Sequence, residues 1–163
     1  MGAAAVRIIV FSDTHGHFSA MHKIFKRNSS ADCFIFLGDG LEDLEEIKKL
    51  YPDKHILCVS GNCDFGAEYP SADVAVVGGI KIFFTHGHRY DVRFTTAKIW
   101  YKSRELGAKI ALFGHTHCRH YDFLDGVHIL NPGSAAQPRD GLPPSYAFID
   151  ITPGGIMCAH VDL

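Results

Sequence analysis

The sequence predicts an α/β (α+β) fold of two mixed sheets packed together and flanked by helices, on three observations. Apolar runs suited to doubly covered strands alternate with amphipathic helices in the first third of the chain. Paired strands around Gly-containing turns dominate the last third. Six segments each end an apolar run with polar residues of metal-ligand type: Asp13-Thr14-His15, Gly38-Asp39, Gly61-Asn62-Cys63-Asp64, His86-Gly87-His88, Gly114-His115-Thr116-His117 and Asn131-Pro132-Gly133-Ser134.

Taken in order, 6–11 and 33–37 are continuous Ile, Val and Phe runs, and 56–59 repeats the pattern more briefly, so parallel pairing is expected. Between the first two, Phe18, Met21, Ile24 and Phe25 give helical spacing over 19–28, with Ser19 as the expected N-cap. Leu41, Leu44, Ile47, Leu50 and Tyr51 mark a second amphipathic helix that Pro52 stops, with Glu45 and Lys49 at i,i+4 spacing on its solvated face. Residues 73–77 and 80–85 flank Gly78-Gly79 as a hairpin. Residues 95–106 read as a third helix ended by Gly107, and 108–113 as another buried strand. Two more hairpins follow, 121–124 with 127–130 around Asp125-Gly126, and 146–152 with 156–161 around Pro153-Gly154-Gly155. The stretch 138–144 is the one clear irregular loop.

At 163 residues the chain is read as one domain, 1–163, large enough to bury on the order of 70% of its extended surface. A formal net charge of -2 implies no nucleic-acid groove, and no apolar run approaches the roughly 20 residues needed to span a bilayer. Met1-Gly2 invites a myristoylation reading, but Val6 stands where that signal needs Ser or Thr. The five cysteines, Cys33, Cys58, Cys63, Cys118 and Cys158, contain no C-x-x-C pair, so a reducing cytoplasm is the expected setting.

If extension persists after the first strand, Asp13 and His15 point to one side and grip one cation. His115 and His117 repeat the i,i+2 spacing. Singly, Asp13 or Asp39 would be a cap, Asn62 a turn residue, and each His hydrogen-bonded filler. Structural needs alone give no reason to place such residues after nearly every buried strand. The set Asp13, His15, Asp39, Asn62, His86, His115 and His117 offers four imidazoles, two carboxylates and one carboxamide. It suits two octahedral or five-coordinate ions sharing a bridge, for which Asp39 is best placed.

The order D-x-H, G-D, G-N-x-D, His-Gly and G-H-T-H, from Asp13 to Ser134, resembles the calcineurin-like metallophosphoesterase superfamily. The small size, Gly61-Asn62-Cys63-Asp64 and Asn131-Pro132-Gly133-Ser134 resemble its compact YfcE-type phosphodiesterase branch, related to the retromer subunit of the same fold. The resemblance implies a four-layer α-β-β-α sandwich with a dinuclear site at the strand carboxyl ends. By the same resemblance, one ion takes Asp13, His15, Asp39 and His117, and the other takes Asp39, Asn62, His86 and His115. Manganese is the first expectation, with Fe, Ni, Co or Zn as alternatives. Two such ions can hold a bridging hydroxide for in-line attack, and a site charge of roughly +1 matches a phosphodiester monoanion.

In the larger phosphatases of this superfamily, the residue after the metal-binding Asn is a His that protonates the leaving group; here it is Cys63. A thiol with an unperturbed pKa of about 8.5 is a poor substitute near neutrality, so poor alkoxide leaving groups should suffer most. Cys63 is read chiefly as a spacer and Asp64 as holding the loop. His17 is a candidate for the missing acid. His88, Asn131, Gly133 and Ser134 are candidate substrate contacts, and Arg89 and Arg139 candidate phosphate binders. The expected function is metal-dependent hydrolysis of a small or activated phosphodiester. The alternatives are a phosphomonoesterase or nuclease of the same superfamily, or a docking scaffold resembling the retromer subunit, against which His15 argues. Homo-oligomerisation is left open, and the histidine ligands predict metal affinity that weakens as pH falls through roughly 6.5.

Overall fold

The computed structural model describes residues 4–163, so the Met1-Gly2 start considered above lies outside the described residues. The elements are β1 (Val6–Phe11), α1 (Phe18–Arg27), β2 (Cys33–Phe36), α2 (Leu41–Leu50), β3 (Ile56–Cys58), β4 (Ala72–Val77), β5 (Ile80–Thr85), α3 (Ala97–Leu106), β6 (Ile110–Leu112), β7 (Arg119–Leu124), β8 (Val127–Pro132), β9 (Ser145–Thr152) and β10 (Gly155–Asp162). They form two five-stranded sheets, in the orders β10-β9-β1-β2-β3 and β4-β5-β6-β8-β7. The inner strands β1-β2-β3 and β5-β6-β8 are parallel, while the hairpin pairs are antiparallel.

Period-two alternation sorts the apolar runs into layers. On β1, Ile8 and Val10 enter the core between the sheets, where Ile35, Ile82, Leu112 and Ile149 meet them. Ile9 and Phe11 face the other way, onto Met21, Ile24 and Phe25 of α1 and Leu44 and Ile47 of α2. On the second sheet Phe83, Ala111 and Ile129 pack against Ile99 of α3. Helices therefore cover both outer faces, and the four-layer order is α-β-β-α. Each fully buried Phe or Ile contributes roughly 1.5–3 kcal/mol, so these three clusters carry the fold.

Gly78 and Gly79 have φ of 57° and 79°, and Asp125 and Gly126 have 46° and 79°. Positive φ at both central residues is what a tight type I′ hairpin needs. Two local expectations are corrected. Helix α1 begins at Phe18 with His17, not Ser19, in the cap position, because His17 N and Nδ1 both turn back to Thr14 O at 2.9 Å. Helix α3 begins at Ala97 rather than 95, because Thr95 Oγ1 accepts from Ala97 N at 3.1 Å. On helix α2, Glu45 and Lys49 are both exposed as expected, and the ion pairs are Glu45 with Lys48 and Glu46 with Lys49; Tyr69 Oη also donates to Glu45. No helix among the described residues is long and apolar enough to cross a membrane.

Candidate metal centre

Because β1, β2 and β3 are parallel to one another, and β5, β6 and β8 likewise, each trio ends at one edge of its sheet. The loop after β1 carries Asp13 and His15, that after β2 Asp39, and that after β3 Gly61 to Asp64. The second sheet supplies His86 after β5, and His115 and His117 after β6. The two edges meet where His115 N donates to Asp13 Oδ2 at 3.0 Å. Ser134 Oγ, beyond β8, donates to Asp13 O at 2.7 Å.

The backbone of this edge is not extended, which corrects the expectation for the two i,i+2 pairs. Asp13, His15, Asp39, His115 and His117 have φ of 56°, 44°, 62°, 69° and 60°. Asp13 N is drawn to Gly38 O at 3.0 Å and His15 N to Asp39 O at 2.9 Å, which curls the loop into the left-handed region. That conformation costs a residue with a side chain about 1–2 kcal/mol and glycine almost nothing. Asp or His at all five positions therefore works against stability, and the side chains themselves must be what the positions require.

Each carboxylate spends one oxygen on structure and presents the other. Asp13 Oδ2 accepts from Ser12 Oγ at 2.7 Å and from His115 N, whereas Asp13 Oδ1 is buried with no hydrogen-bond partner. Asp39 Oδ1 accepts from Cys63 N at 2.8 Å, and Oδ2 faces His86 Nε2 at 3.3 Å and His15 Nε2 at 3.6 Å. His86 Nδ1 lies 2.7 Å from Leu37 O, and His117 Nδ1 lies 2.7 Å from Gln137 O. A carbonyl only accepts, so both rings carry the proton on Nδ1 when neutral, and their Nε2 lone pairs point inward. His86 Nε2 is buried without a partner. His117 Nε2 lies 3.3 Å from Asp13 Oδ1 and 3.2 Å from His15 Nε2. Only a proton or a cation makes this convergence of lone pairs favourable.

The protonation equilibria agree with a cation-seeking site. Burial pushes the Asp13 carboxyl up, but His117, His15 and His86 outweigh it and hold it well below the usual carboxylate range. Asp39 is also lowered, by His86 and Cys63 N against burial. His15 is raised, chiefly by Asp13, and His86 is raised by Asp39 and Asp13 against burial. His115 goes the other way: burial, His86 and Arg93 push it down to about 4. Compact groups of donor atoms comprise Asp13, His15 and His117; Asp13, Asp39 and His86; and His15, Asp39 and Cys63. This mix of carboxylate and imidazole suits a divalent ion of borderline softness.

The remaining sequence candidates fall around this cluster. His88 is half-buried, its ring 5.4 Å from His86 and 6.1 Å from His115. Asn62 is exposed at the rim, with Nδ2 on Cys63 Sγ at 3.6 Å. Cys63 is exposed, and burial and Asp39 push its thiol up, so it stays protonated at neutrality. His17 sits exposed at the start of α1. Asp64 is committed to the backbone: its oxygens accept from Asp39 N, Gly40 N, Leu41 N and Gly61 N at 2.7–3.0 Å. It thereby caps α2 and joins two ligand loops.

Asn131 and Ser134, candidate substrate contacts through their backbone N–H groups, have fully buried side chains that serve the protein itself. Asn131 Nδ2 donates to Gly114 O and Thr116 Oγ1, bracing the loop between His115 and His117. Asn131 Oδ1 accepts from Gly133 N. Arg89 and Arg139 are exposed. The residue that sequence reasoning missed is Arg93, whose Nε donates to His115 Nε2 at 3.1 Å. A lone arginine in an irregular segment carries no periodic signal.

Gly61 shows how tightly the loops close. A methyl group there would overlap the Asp39 carboxylate and the Asp39 backbone N. Gly61→Ala is therefore expected to weaken Mn binding at least about tenfold, the loss typical of disturbing a ligand's support, while circular dichroism stays native. Wild-type Mn affinity in that variant, measured by calorimetry, would contradict the account.

A small recess of about 230 Å³ opens on His15, Asp39 and Cys63. It shares Glu42, Cys63 and Asp64 with a larger cleft of about 950 Å³, walled by α2 and by the loop from Cys63 to Tyr69. Glu42, Glu45 and Glu68 line that cleft, and Phe65, 90% exposed, overhangs it.

Comparison with known proteins agrees with this architecture. Residues 6–154 match the calcineurin-like phosphoesterase superfamily domain. The probable metallophosphoesterase YsnB of Bacillus subtilis is 32% identical over 148 residues, covering 90% of this chain and 85% of that protein. The phosphodiesterase YfcE of Escherichia coli is 25% identical over 170 residues, covering 89% of this chain and 88% of YfcE. The crystal structure of a predicted phosphoesterase from Streptococcus pneumoniae TIGR4 superposes with a TM-score of 0.80 at 31% identity, covering 98% of this chain and 99% of that one. With the family model spanning most of the sequence, the chain belongs to the calcineurin-like phosphoesterase superfamily and is a metal-dependent phosphoesterase.

Proposed function

We propose that this chain hydrolyses a small or activated phosphodiester, with Asp13, His15, Asp39 and His117 holding one divalent ion and Asp39, Asn62, His86 and His115 a second. The observation that carries the reading is the pair of buried, partnerless atoms Asp13 Oδ1 and His86 Nε2, aimed at one another's neighbourhood 3.9 Å apart. Divalent ions bound there supply Lewis-acid polarisation of the phosphoryl oxygens and a reactive water at neutral pH. Manganese is the proposed ion, which the carboxylates suit, and the imidazoles admit Fe, Ni, Co or Zn as alternatives.

The protein's own groups do the rest. Leu37 O and Gln137 O fix the His86 and His117 tautomers, and Asp64 locks the Asp39 loop against the Gly61 loop. Cys63, with its thiol pKa raised, donates a proton poorly, which favours diesters whose leaving group departs without one. Carboxylates along the adjoining cleft disfavour a polyanionic nucleic acid, which supports the small-diester reading over a nuclease. Five free thiols suit a cytoplasmic protein.

Metal-stripped protein reloaded with Mn is expected to cleave an aryl phosphodiester faster than the matching monoester. Inactivity toward both with each of Mn, Fe, Ni, Co and Zn would refute the proposal, and a preference for the monoester would move the assignment to a phosphomonoesterase.

A further inference from the structure

Arg93 has one polar partner among the described residues, and it is His115. The segment that delivers it is braced. Val92 is buried against Gly87, Tyr90 N donates to Gly87 O, Phe94 N and Thr95 N donate to Asp91 O, and Asp91 pairs with Lys98. The guanidinium therefore stands at the His115 end of the cluster, with the His86 ring 5.2 Å beyond His115. The large cleft touches the cluster at the other end, through Cys63 and Asp64.

A neutral imidazole has a single lone pair, and the Arg93 N–H occupies the one on His115 Nε2. A cation ligated by His115 needs that same lone pair. If the ring binds through Nε2, the cation replaces the arginine directly. If it binds through Nδ1, Nε2 acquires a hydrogen, and two N–H groups then face each other. The contact cannot survive either case.

We infer that metal uptake by His115 releases Arg93, and that the released guanidinium anchors the non-bridging oxygens of the phosphodiester. The inference rests on the assignment of His115 as a ligand in the proposed function. The planar fork of arginine matches two phosphoryl oxygens at once, and no carboxylate competes for it among the described residues. Metal binding and substrate recognition are coupled through one side chain: the metal-free protein keeps its anchor folded onto a ligand, and only the loaded protein presents it.

Calorimetry on wild type, Arg93→Met and Arg93→Lys tests this in two steps, first titrating Mn into metal-free protein and then inorganic phosphate into the Mn-loaded protein. Arg93→Met is expected to take up Mn at least as tightly as wild type, because a competitor has been removed. Its phosphate affinity should be at least about tenfold weaker, the loss of a charge-assisted pair. Arg93→Lys should fall between the two in phosphate affinity, keeping charge without the fork. Weaker Mn binding in Arg93→Met would mean that the arginine orients His115 for the ion, and wild-type phosphate affinity would mean that it does not touch the phosphoryl group; either overturns the inference. Uptake of fewer than two Mn by the wild-type protein is a separate outcome, read before any variant is compared. It sinks the dinuclear assignment, and the release of Arg93 with it.

Discussion

Asp39→Asn is expected to remove at least one of two bound Mn ions and to lower turnover of an aryl phosphodiester at least about a thousandfold. The substitution keeps the size of the side chain and lets Oδ1 go on accepting from Cys63 N, so the loop retains its anchor. What disappears is the negative charge on the oxygen that faces both His86 and His15. A Lewis-acid ion supplies several kcal/mol of transition-state stabilisation, and each ~1.4 kcal/mol is a factor of ten in rate. In the metal-free protein the same change removes a charge that His86 and Cys63 N favour more than burial and Asp13 oppose. Metal-free melting near neutrality should therefore fall modestly, while the gain in melting temperature on adding Mn shrinks. Two tightly bound ions and wild-type turnover in Asp39→Asn would exclude Asp39 as a bridging ligand.

Acidification is the second large lever, and its sign is set by which groups hold protons in the metal-free site. His15 and His86 have raised pKa values, so they take up protons at a higher pH than an ordinary histidine near 6.5. A metal ion must displace those protons, so Mn affinity is flat at alkaline pH and falls as pH drops through the raised values. With two rings protonated the fall approaches about a hundredfold per pH unit. His115, at about 4, adds nothing until well into acid.

Folding stability of the metal-free chain runs the other way. The raised histidines stabilise it fully below about 6.5, and this stabilisation is lost as pH rises through their folded values. The depressed Asp13 and Asp39 stabilise it above about 3.9, and that contribution is lost only as pH falls toward their lowered values. From pH 6 to 8 these groups should make metal-free protein melt progressively lower and Mn-loaded protein progressively higher. Parallel trends in chelator and in Mn would contradict the assignment of His15 and His86.

The parts of the site legible in the sequence are those set by topology. Runs such as Val6–Phe11 and Ile80–Thr85 announce strands, and parallel pairing brings their polar ends to one edge whatever the loops do. Asp13, Asp39, His86 and His117 converge for that reason. The handedness of the loops was not legible. It comes from backbone bonds between separate strand ends, such as Asp13 N to Gly38 O, which no local window contains. The same holds for Asn131, which reads as a candidate substrate contact but spends its side chain on a loop 15 and 17 residues away. Arg93 lies 22 residues from His115 in an unpatterned stretch, and tertiary contacts such as the packing of Val92 on Gly87 bring them together.

The two carboxylates, Asp13 and Asp39, hang from one sheet, whereas His86, His115 and His117 hang from the other. Ions held as proposed would act as rivets across a seam that is otherwise held mainly by greasy contacts. Occupancy would then govern how readily the halves of the sandwich breathe apart, and a cell that withheld the ion would leave this chain both idle and more exposed to proteases.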